Sequence, residues 1–159
     1  MGLNQKGAKE DVNHMRQIML AMLLSGFAIA QDQVALEIKS PAADQKLSRG
    51  EVFTIEVQAS QTLPAAEVVW CNGNKQDWRR AKRELTEGKE YYKRQQDCAV
   101  MSPSGNTYTA DVDVSPYTWL GDGPYPIFAY AVDAKSHKLL AISEIREFQV
   151  ISSQPASKR

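Results

Sequence analysis

Short runs in which apolar and polar residues alternate are the feature that most constrains the fold of this chain. In VALEIKS, which begins at Val34, the apolar residues Val34, Leu36 and Ile38 alternate with small or charged ones. VFTIEVQAS and TYTADVDVS, at residues 52–60 and 107–115, keep the same period of two. Because successive side chains of a β-strand point to opposite faces, each run predicts a strand with one buried face.

Three more strands follow from the remaining apolar runs. AAEVVWCN ends at the turn signal Asn72-Gly73, YPIFAYAVDA occupies residues 125–134, and KLLAISEIREFQV at residues 138–150 is interpreted as one closing strand. Turn-forming residues separate these strands. Six or more short strands in a chain of 159 residues predict a single all-β domain that folds as an antiparallel β-sandwich.

A charged segment, residues 75–98, interrupts the alternation after the third strand. Oppositely charged pairs four residues apart, such as Arg80 with Glu84, would support a helix. Gly88 argues against one continuous helix, because a glycine inside a helix costs about 1 kcal/mol. The segment is therefore predicted to be a solvent-facing insertion, either a short helix with an irregular return or a second hairpin.

The N-terminal region has the composition of a secretory signal peptide. Arg16 precedes an apolar run that ends at Ala28-Ile29-Ala30, a small-x-small cleavage signal. The run is shorter than the roughly 20 apolar residues that a membrane span needs. We therefore expect a signal peptide at residues 1–30, a domain at residues 31–151 and a flexible polar tail at residues 152–159. The true start is either Met1 or Met15, and no membrane span is expected after cleavage.

The two cysteines are both retained after such cleavage. In an exported protein an even pair is typical of a disulfide, here between Cys71 and Cys98. The alternative is two free thiols. A bridge between them would close a loop of 27 residues.

Two aromatic residues are predicted to be structural. Gly121 and Gly123 allow the chain to turn a corner between sheets, and Tyr125 follows that corner. Its ring would be buried while its hydroxyl bonds an upstream backbone group, as in the tyrosine corner of immunoglobulin-like sandwiches. Trp70, on the third strand, lies where such folds place a core tryptophan.

The chain resembles bacterial immunoglobulin-like domains over most of residues 34–150. The motifs that carry this resemblance are a Ser-Pro opening, a glycine before a valine-rich strand, a late Tyr-Thr pair, and Asp-Gly-x-Tyr before a strand that ends Ala-x-Asp. The matching residues are Ser40, Pro41, Gly50, Tyr108, Thr109, Asp122, Gly123, Tyr125, Ala131 and Asp133. The resemblance implies an immunoglobulin-like antiparallel β-sandwich of about seven strands, with the charged insertion after the third strand, and a role as a spacer, adhesion module or accessory domain.

Catalytic, metal and nucleic-acid functions find little support in the residues. His137, the one histidine of the predicted mature chain, lies in a polar turn. A histidine that acts as a catalytic base must be buried and oriented by a third group, which such a turn does not provide. No His or Cys cluster has metal-ligand spacing, and no glycine-rich loop could hold a phosphate. The 19 basic and 19 acidic residues cancel, so no overall positive charge favours nucleic acid. We expect neither an enzyme nor a bound cofactor or metal.

Binding residues are predicted in the insertion and in a connecting loop. Exposed aromatic and arginine side chains are enriched at binding hot spots, and the candidates are Trp78, Arg79, Arg80, Tyr91, Tyr92 and Trp119. The alternative interpretation is that the charges form a solvated surface and the rings cap the sandwich. The sequence thus predicts a bacterial, non-catalytic exported module, periplasmic or secreted, that binds an envelope protein. The alternative function is that of a carbohydrate-binding accessory module.

Overall fold

A computed structural model describes residues 34–91, 97–113 and 122–151, which belong to one compact unit that begins at Val34. The predicted signal peptide at residues 1–30, the start of the predicted domain at residue 31 and the C-terminal tail lie outside these ranges and stay predictions. None of the described residues forms a helix long and apolar enough to cross a membrane.

The described ranges contain ten strands and one helix. In chain order they are β1 (Leu36–Ser40), β2 (Lys46–Ser48), β3 (Val52–Ala59), β4 (Ala66–Asn72), α1 (Lys75–Thr86), β5 (Cys98–Val100), β6 (Ser102–Ser104), β7 (Thr107–Asp113), β8 (Gly123–Asp133), β9 (Leu139–Ile142) and β10 (Arg146–Ile151). The five strands predicted before the closing segment are present as β1, β3, β4, β7 and β8, and β2, β5 and β6 are short strands that the sequence pattern did not reveal.

The strands form two sheets with the connectivity of an immunoglobulin domain. One sheet has the order β1-β3-β7-β6, and the other has the order β2-β10-β8-β4-β5 with β9 also paired to β8. Immunoglobulin domains place strands A, B, E and D in one sheet and strands C, F and G in the other. β1, β3, β7 and β6 occupy the first four places, and β4, β8 and β10 occupy the other three. The predicted all-β, immunoglobulin-like sandwich is confirmed.

The inner faces of the two sheets meet in the core that the alternation predicts. Leu36 and Ile38 of β1 are buried, as are the inward residues Ile55 and Val57 of β3. The core also contains Val68, Trp70, Tyr108, Val112, Tyr125, Ile127, Ala129 and Phe148. Each inward side chain meets the opposite sheet, so the strands bury one continuous apolar layer.

Trp70 and Tyr125 are both buried, as predicted, with 5% and 3% of their surface exposed. The ring of Tyr125 lies 5.1 Å from that of Phe148, measured between centroids. Gly123 has a φ of 147°, in the region that favours glycine, at the start of β8. The upstream residues 114–121 lie outside the described ranges, so the predicted bond of the Tyr125 hydroxyl to that segment stays a prediction.

The prediction of one closing strand at residues 138–150 is wrong, because the segment forms β9 and β10 with a break at residues 143–145. Ser143 accounts for the break. Its N–H donates to Ala129 O over 2.8 Å, while its Oγ accepts from Ala129 N over 2.9 Å. The side chain of Ser143 thus takes the place of a backbone carbonyl in the ladder with β8, which ends β9 at this point.

Cys71 and Cys98 form the predicted disulfide. They are directly opposite each other on the antiparallel pair β4–β5, with Cα atoms 4.1 Å apart. Cys71 is buried and Cys98 is half-buried. The bridge therefore fixes the end of the insertion to the strand from which the insertion leaves.

Reduction of this disulfide should lower the free energy of unfolding by about 3 kcal/mol, because the loop between the two residues is then free in the unfolded chain. Urea unfolding of the oxidised and the reduced protein measures the difference. The Cys71→Ala/Cys98→Ala variant is the control and should not respond to reductant. Equal urea midpoints for the oxidised and the reduced protein would contradict the expectation.

Candidate functional site

The helix α1 covers the outer face of the six-stranded sheet. A second apolar cluster forms between them, separate from the core of the sandwich, and its buried members are Val69, Cys71, Ala81, Leu85, Tyr91, Phe128, Tyr130 and Val132. The central strands β4 and β8 are therefore buried on both faces. The prediction that the insertion faces solvent is wrong for this side of the helix, because Ala81 and Leu85 are completely buried beneath it.

The start of α1 is defined by local hydrogen bonds. Asn74 caps the helix, its side chain accepting from the backbone N–H groups of Gln76 and Asp77. Asp77 in return accepts from the backbone N–H of Asn74 over 3.1 Å, which completes a capping box. Gly73 lies so close to the sheet that a Cβ atom there would be 2.9 Å from the ring of Phe128. The cap and the close approach together set where the helix begins on the sheet.

Trp78 fastens α1 to the sheet. Its Nε1 donates to Ser143 O over 2.8 Å, at the break between β9 and β10. The indole is half-buried, and the Nζ of Lys82 lies 5.1 Å from the centre of its ring. The expectation that Trp78 is an exposed anchor for a partner is therefore corrected: the ring packs against the domain itself, because residues 78, 81 and 85 lie on the same helical face.

The prediction that Tyr91 is an exposed binding residue is also wrong, since only 1% of its surface is exposed. Its ring lies 6.5 Å from that of Phe128 and 6.3 Å from that of Tyr130, between centroids. This burial raises the pKa of the Tyr91 hydroxyl, an effect that the hydrogen bond from Arg80 partly offsets. Tyr91 completes the apolar cluster under the helix and is not available to a partner.

Arg80 is engaged within the domain. Its Nη2 lies 3.5 Å from the Tyr91 hydroxyl and 3.3 Å from Asp77 Oδ1, and its guanidinium carbon is 5.6 Å from the centre of the Tyr91 ring. The hydrogen bond and the electrostatic interaction with Tyr91 are the main causes that raise the pKa of Arg80, burial lowers it, and the charges of Asp77 and Glu84 add smaller increases. Arg80 thus packs over Tyr91, while 42% of its side-chain surface stays exposed, so its predicted binding role stays a prediction.

The exposed side of α1 is basic. At 3.6 residues per turn, Lys75, Arg79, Lys82 and Arg83 lie within an arc of about 100°, and all four are exposed. We call these four residues the basic face. In the described part of the chain, no acidic side chain pairs with Lys75, Arg79 or Arg83. The helix has five basic and two acidic residues, Asp77 and Glu84, and both acidic side chains are half-buried.

Arg79 is the one predicted binding residue that the structure places on this face with its side chain exposed. Sequence reasoning did not single out Lys75, Lys82 and Arg83 as site residues. The sequence does contain a signal for this face: Lys75, Arg79 and Arg83 are each four residues from the next, which places them in one row along a helix. Tyr92 and Trp119 lie outside the described residues, so their predicted roles stay predictions.

The described residues show no arrangement that resembles a catalytic or metal site. His137 lies in the turn between β8 and β9, and its Nε2 is 3.6 Å from Glu90 Oε1. Within ranges 34–91, 97–113 and 122–151, no three His, Cys, Asp or Glu side chains are grouped as metal ligands would be. His137 contacts the segment that follows α1.

No known protein family matches this chain, and no curated protein matches it either. Among solved structures, it is similar to the fibronectin(III)-like modules of CbhA from Clostridium thermocellum, with 18% sequence identity and a TM-score of 0.46 over 76% of this chain and 98% of that chain. It is also similar to the M1 domain from titin, with 11% identity and a TM-score of 0.39 over 74% of this chain and 92% of that chain. The immunoglobulin-like assignment rests on the strand order described above.

Replacing Trp78 by Phe should lower the free energy of unfolding by about 1–3 kcal/mol, because the Ser143 carbonyl loses its donor while the aromatic packing is largely kept. Urea unfolding measures this loss. Arg79→Ala, on the exposed side of the same helix, is the matched control and should change stability by less than about 0.5 kcal/mol. Equal stabilities for the two variants would show that the indole does not fasten the helix.

Proposed function

We propose that this protein is a non-catalytic exported module of the bacterial envelope that binds an acidic surface of another envelope protein through the basic face of α1. The observation that supports the proposal is the set of four exposed cations on one side of the helix, none of which forms an ion pair with an acidic side chain among the described residues. A solvated surface helix more often has its charges balanced by oppositely charged neighbours. Here the acidic residues Asp77 and Glu84 are half-buried and lie outside the arc of the basic face.

Rigidity makes this face suitable for recognition. The helix is capped at Asn74, bonded to the sheet through Trp78, and packed on it through Ala81 and Leu85. Binding to a partner would therefore order only the side chains of the basic face, with no backbone left to order. Such preorganisation lowers the entropic cost of association.

The chemistry of the face favours carboxylates. Arg79 and Arg83 are four residues apart, so their guanidinium groups project side by side from the helix. A guanidinium can donate two parallel hydrogen bonds to one carboxylate, which an ammonium group cannot match. Glu87, one turn further, forms its ion pair with Lys89. The charge of Arg83 also lowers the pKa of the Glu87 carboxyl, after the larger effect of Lys89, but Arg83 forms no ion pair with Glu87. An acidic protein surface is the class of partner that this arrangement fits best.

The proposed location outside the cytoplasm is supported by the disulfide. Bonds such as Cys71–Cys98 form and persist in oxidising compartments, among them the periplasm and the cell exterior. The signal-like segment at residues 1–30 agrees with such a location.

Carbohydrate binding, the alternative, would call for a row of exposed flat rings. Trp78 is half-buried with Lys82 against its ring, and Tyr91 is buried. The described residues therefore favour the protein partner.

Reversing the charge of the face should abolish binding. We expect the Arg79→Glu/Arg83→Glu variant, used as bait in an envelope extract of the source bacterium, to recover its principal partner at least about tenfold less efficiently than the wild type, since each lost charge-assisted pair is worth roughly 1.5 kcal/mol or more. Quantitative mass spectrometry of the captured proteins gives the measurement.

The matched control is Lys135→Glu/Lys138→Glu, which makes the same change in net charge on exposed residues of the β8–β9 turn. It should capture the partner as the wild type does. Equal capture by the wild type and the α1 variant would refute the proposal, as would equal loss in both variants, since net charge alone would then explain the binding.

A further inference from the structure

We infer that the outer face of the four-stranded sheet is a second interaction surface, and that it binds the basic face of α1 from a second copy of this chain. Copies would then associate head to tail. The inference rests on the proposed function only in using the same basic face as a docking surface.

The two surfaces lie on opposite sides of the domain. The layers are α1, then the six-stranded sheet, then the four-stranded sheet, because α1 packs on the side of the six-stranded sheet that faces away from the sandwich core. The exposed side of α1 and the outer face of the four-stranded sheet therefore point in opposite directions. One copy can present its helix while its other side receives the helix of a neighbour.

The outer face of the four-stranded sheet is acidic. Glu37 of β1, Glu56 of β3 and Asp111 of β7 all lie at outward positions, since the residues on either side of each point into the sandwich. We call these three the acidic row. Lys39, which pairs with Glu37 over 2.6 Å, is the one cation at an outward position of the described residues of this sheet. Val52, 66% exposed at the start of β3, adds an apolar side chain to the same face.

Strand register aligns the acidic row. Glu37 is opposite Gln58, two residues from Glu56 along β3, and Asp111 is opposite Thr54, two residues from Glu56 in the other direction. Residues in such diagonal positions lie about 7–8 Å apart. The three carboxylates therefore form an oblique line across three neighbouring strands.

The spacing of this line suits a helix. Lys75, Arg79 and Arg83 are successive members of an i, i+4 row, about 6 Å apart along the helix axis at 1.5 Å per residue. Two of these cations at about 6 Å can meet Glu56 and Asp111 at about 7–8 Å, given the length of lysine and arginine side chains. Glu37, at the end of the row, already lies beside Lys39 and near Arg146.

Two of the carboxylates have free capacity. The side chain of Glu56 forms no hydrogen bond or ion pair with any described residue, and the side chain of Asp111 accepts only from Thr54 Oγ1 among them, over 2.7 Å.

The form of the assembly follows from the geometry. The contact is heterologous, because it joins two different surfaces. Since these surfaces lie on opposite sides of the domain, copies form an open chain unless the rotation between neighbours closes a ring. The formal net charge of the protein is zero, so copies do not repel one another as wholes. Since the contact depends on exposed charges, salt should dissolve it.

Sedimentation velocity over a range of protein concentrations tests the inference. At about 10 mM salt, where charges act over about 30 Å, the weight-average mass of the wild type should rise with concentration to roughly twice the monomer mass or more. At about 1 M salt, where they act over about 3 Å, it should return to the monomer mass.

Charge reversal on each surface makes the test specific. The Arg79→Glu/Arg83→Glu variant and the Glu56→Lys/Asp111→Lys variant should each be monomeric alone at low salt, because like charges then face each other across the contact. Their equimolar mixture should associate again, because every contact between the two variants joins opposite charges. Restored association also shows that both variants are folded.

A wild type that stays monomeric at low salt would overturn the inference, and so would a mixture that stays monomeric. The capture experiment described above is carried out in parallel, so that failure of self-association can be distinguished from failure of the proposed function. If the wild type is monomeric while Arg79→Glu/Arg83→Glu loses its envelope partner, only the self-association is refuted. If the variants associate as described while capture is unchanged, only the proposed function is refuted.

Discussion

The burial of the outer face of β8 beneath α1 is the interaction on which the rest of this structure depends. Phe128, Tyr130 and Val132 point away from the core of the sandwich and would be exposed if the helix were absent. Burying large side chains of this kind contributes roughly 1.5–3 kcal/mol each. The same contact holds α1 in one orientation through Trp78 and Leu85 and keeps its basic face outward. The insertion is thus a third layer of the domain, and the proposed binding surface is a consequence of how that layer packs.

Much of the sandwich could be predicted from the sequence because the strands of the four-stranded sheet bury only one face. In β1, β3 and β7 the alternation of residue types maps directly onto alternating burial. β4 and β8 behave differently: residues 68–71 and 127–132 are buried without interruption. Such continuous apolar runs indicate a strand covered on both sides. The sequence therefore contained evidence of a third layer, but nothing in the runs themselves tells which segment covers them. The Ser143 side chain that divides β9 from β10 is equally invisible to a pattern of apolar residues.

Less of the candidate site could be predicted, since residue type does not determine the direction in which a helical side chain points. Trp78 and Tyr91 have the chemistry of binding residues, yet they are the largest apolar side chains in the described part of the insertion, and they cover the sheet beneath. Arg80 donates a hydrogen bond to the Tyr91 hydroxyl, so part of its guanidinium group is used within the domain. Arg79 is left exposed because the cap at Asn74 and the apolar spacing of residues 78, 81 and 85 rotate it outward. The basic face could have been found only by first recognising that sparse apolar spacing as a helical stripe.

Hydrogen exchange of the α1 backbone tests most directly whether the helix is a fixed layer of the domain. We expect the amides of residues 79–86 to exchange as slowly as those of β8, within roughly tenfold, because both would open only when the domain unfolds. Exchange of the helix at the rates of an unstructured peptide, while β8 stays protected, would contradict it. In that case α1 would not be packed on the sheet, and its charges would not form a defined surface.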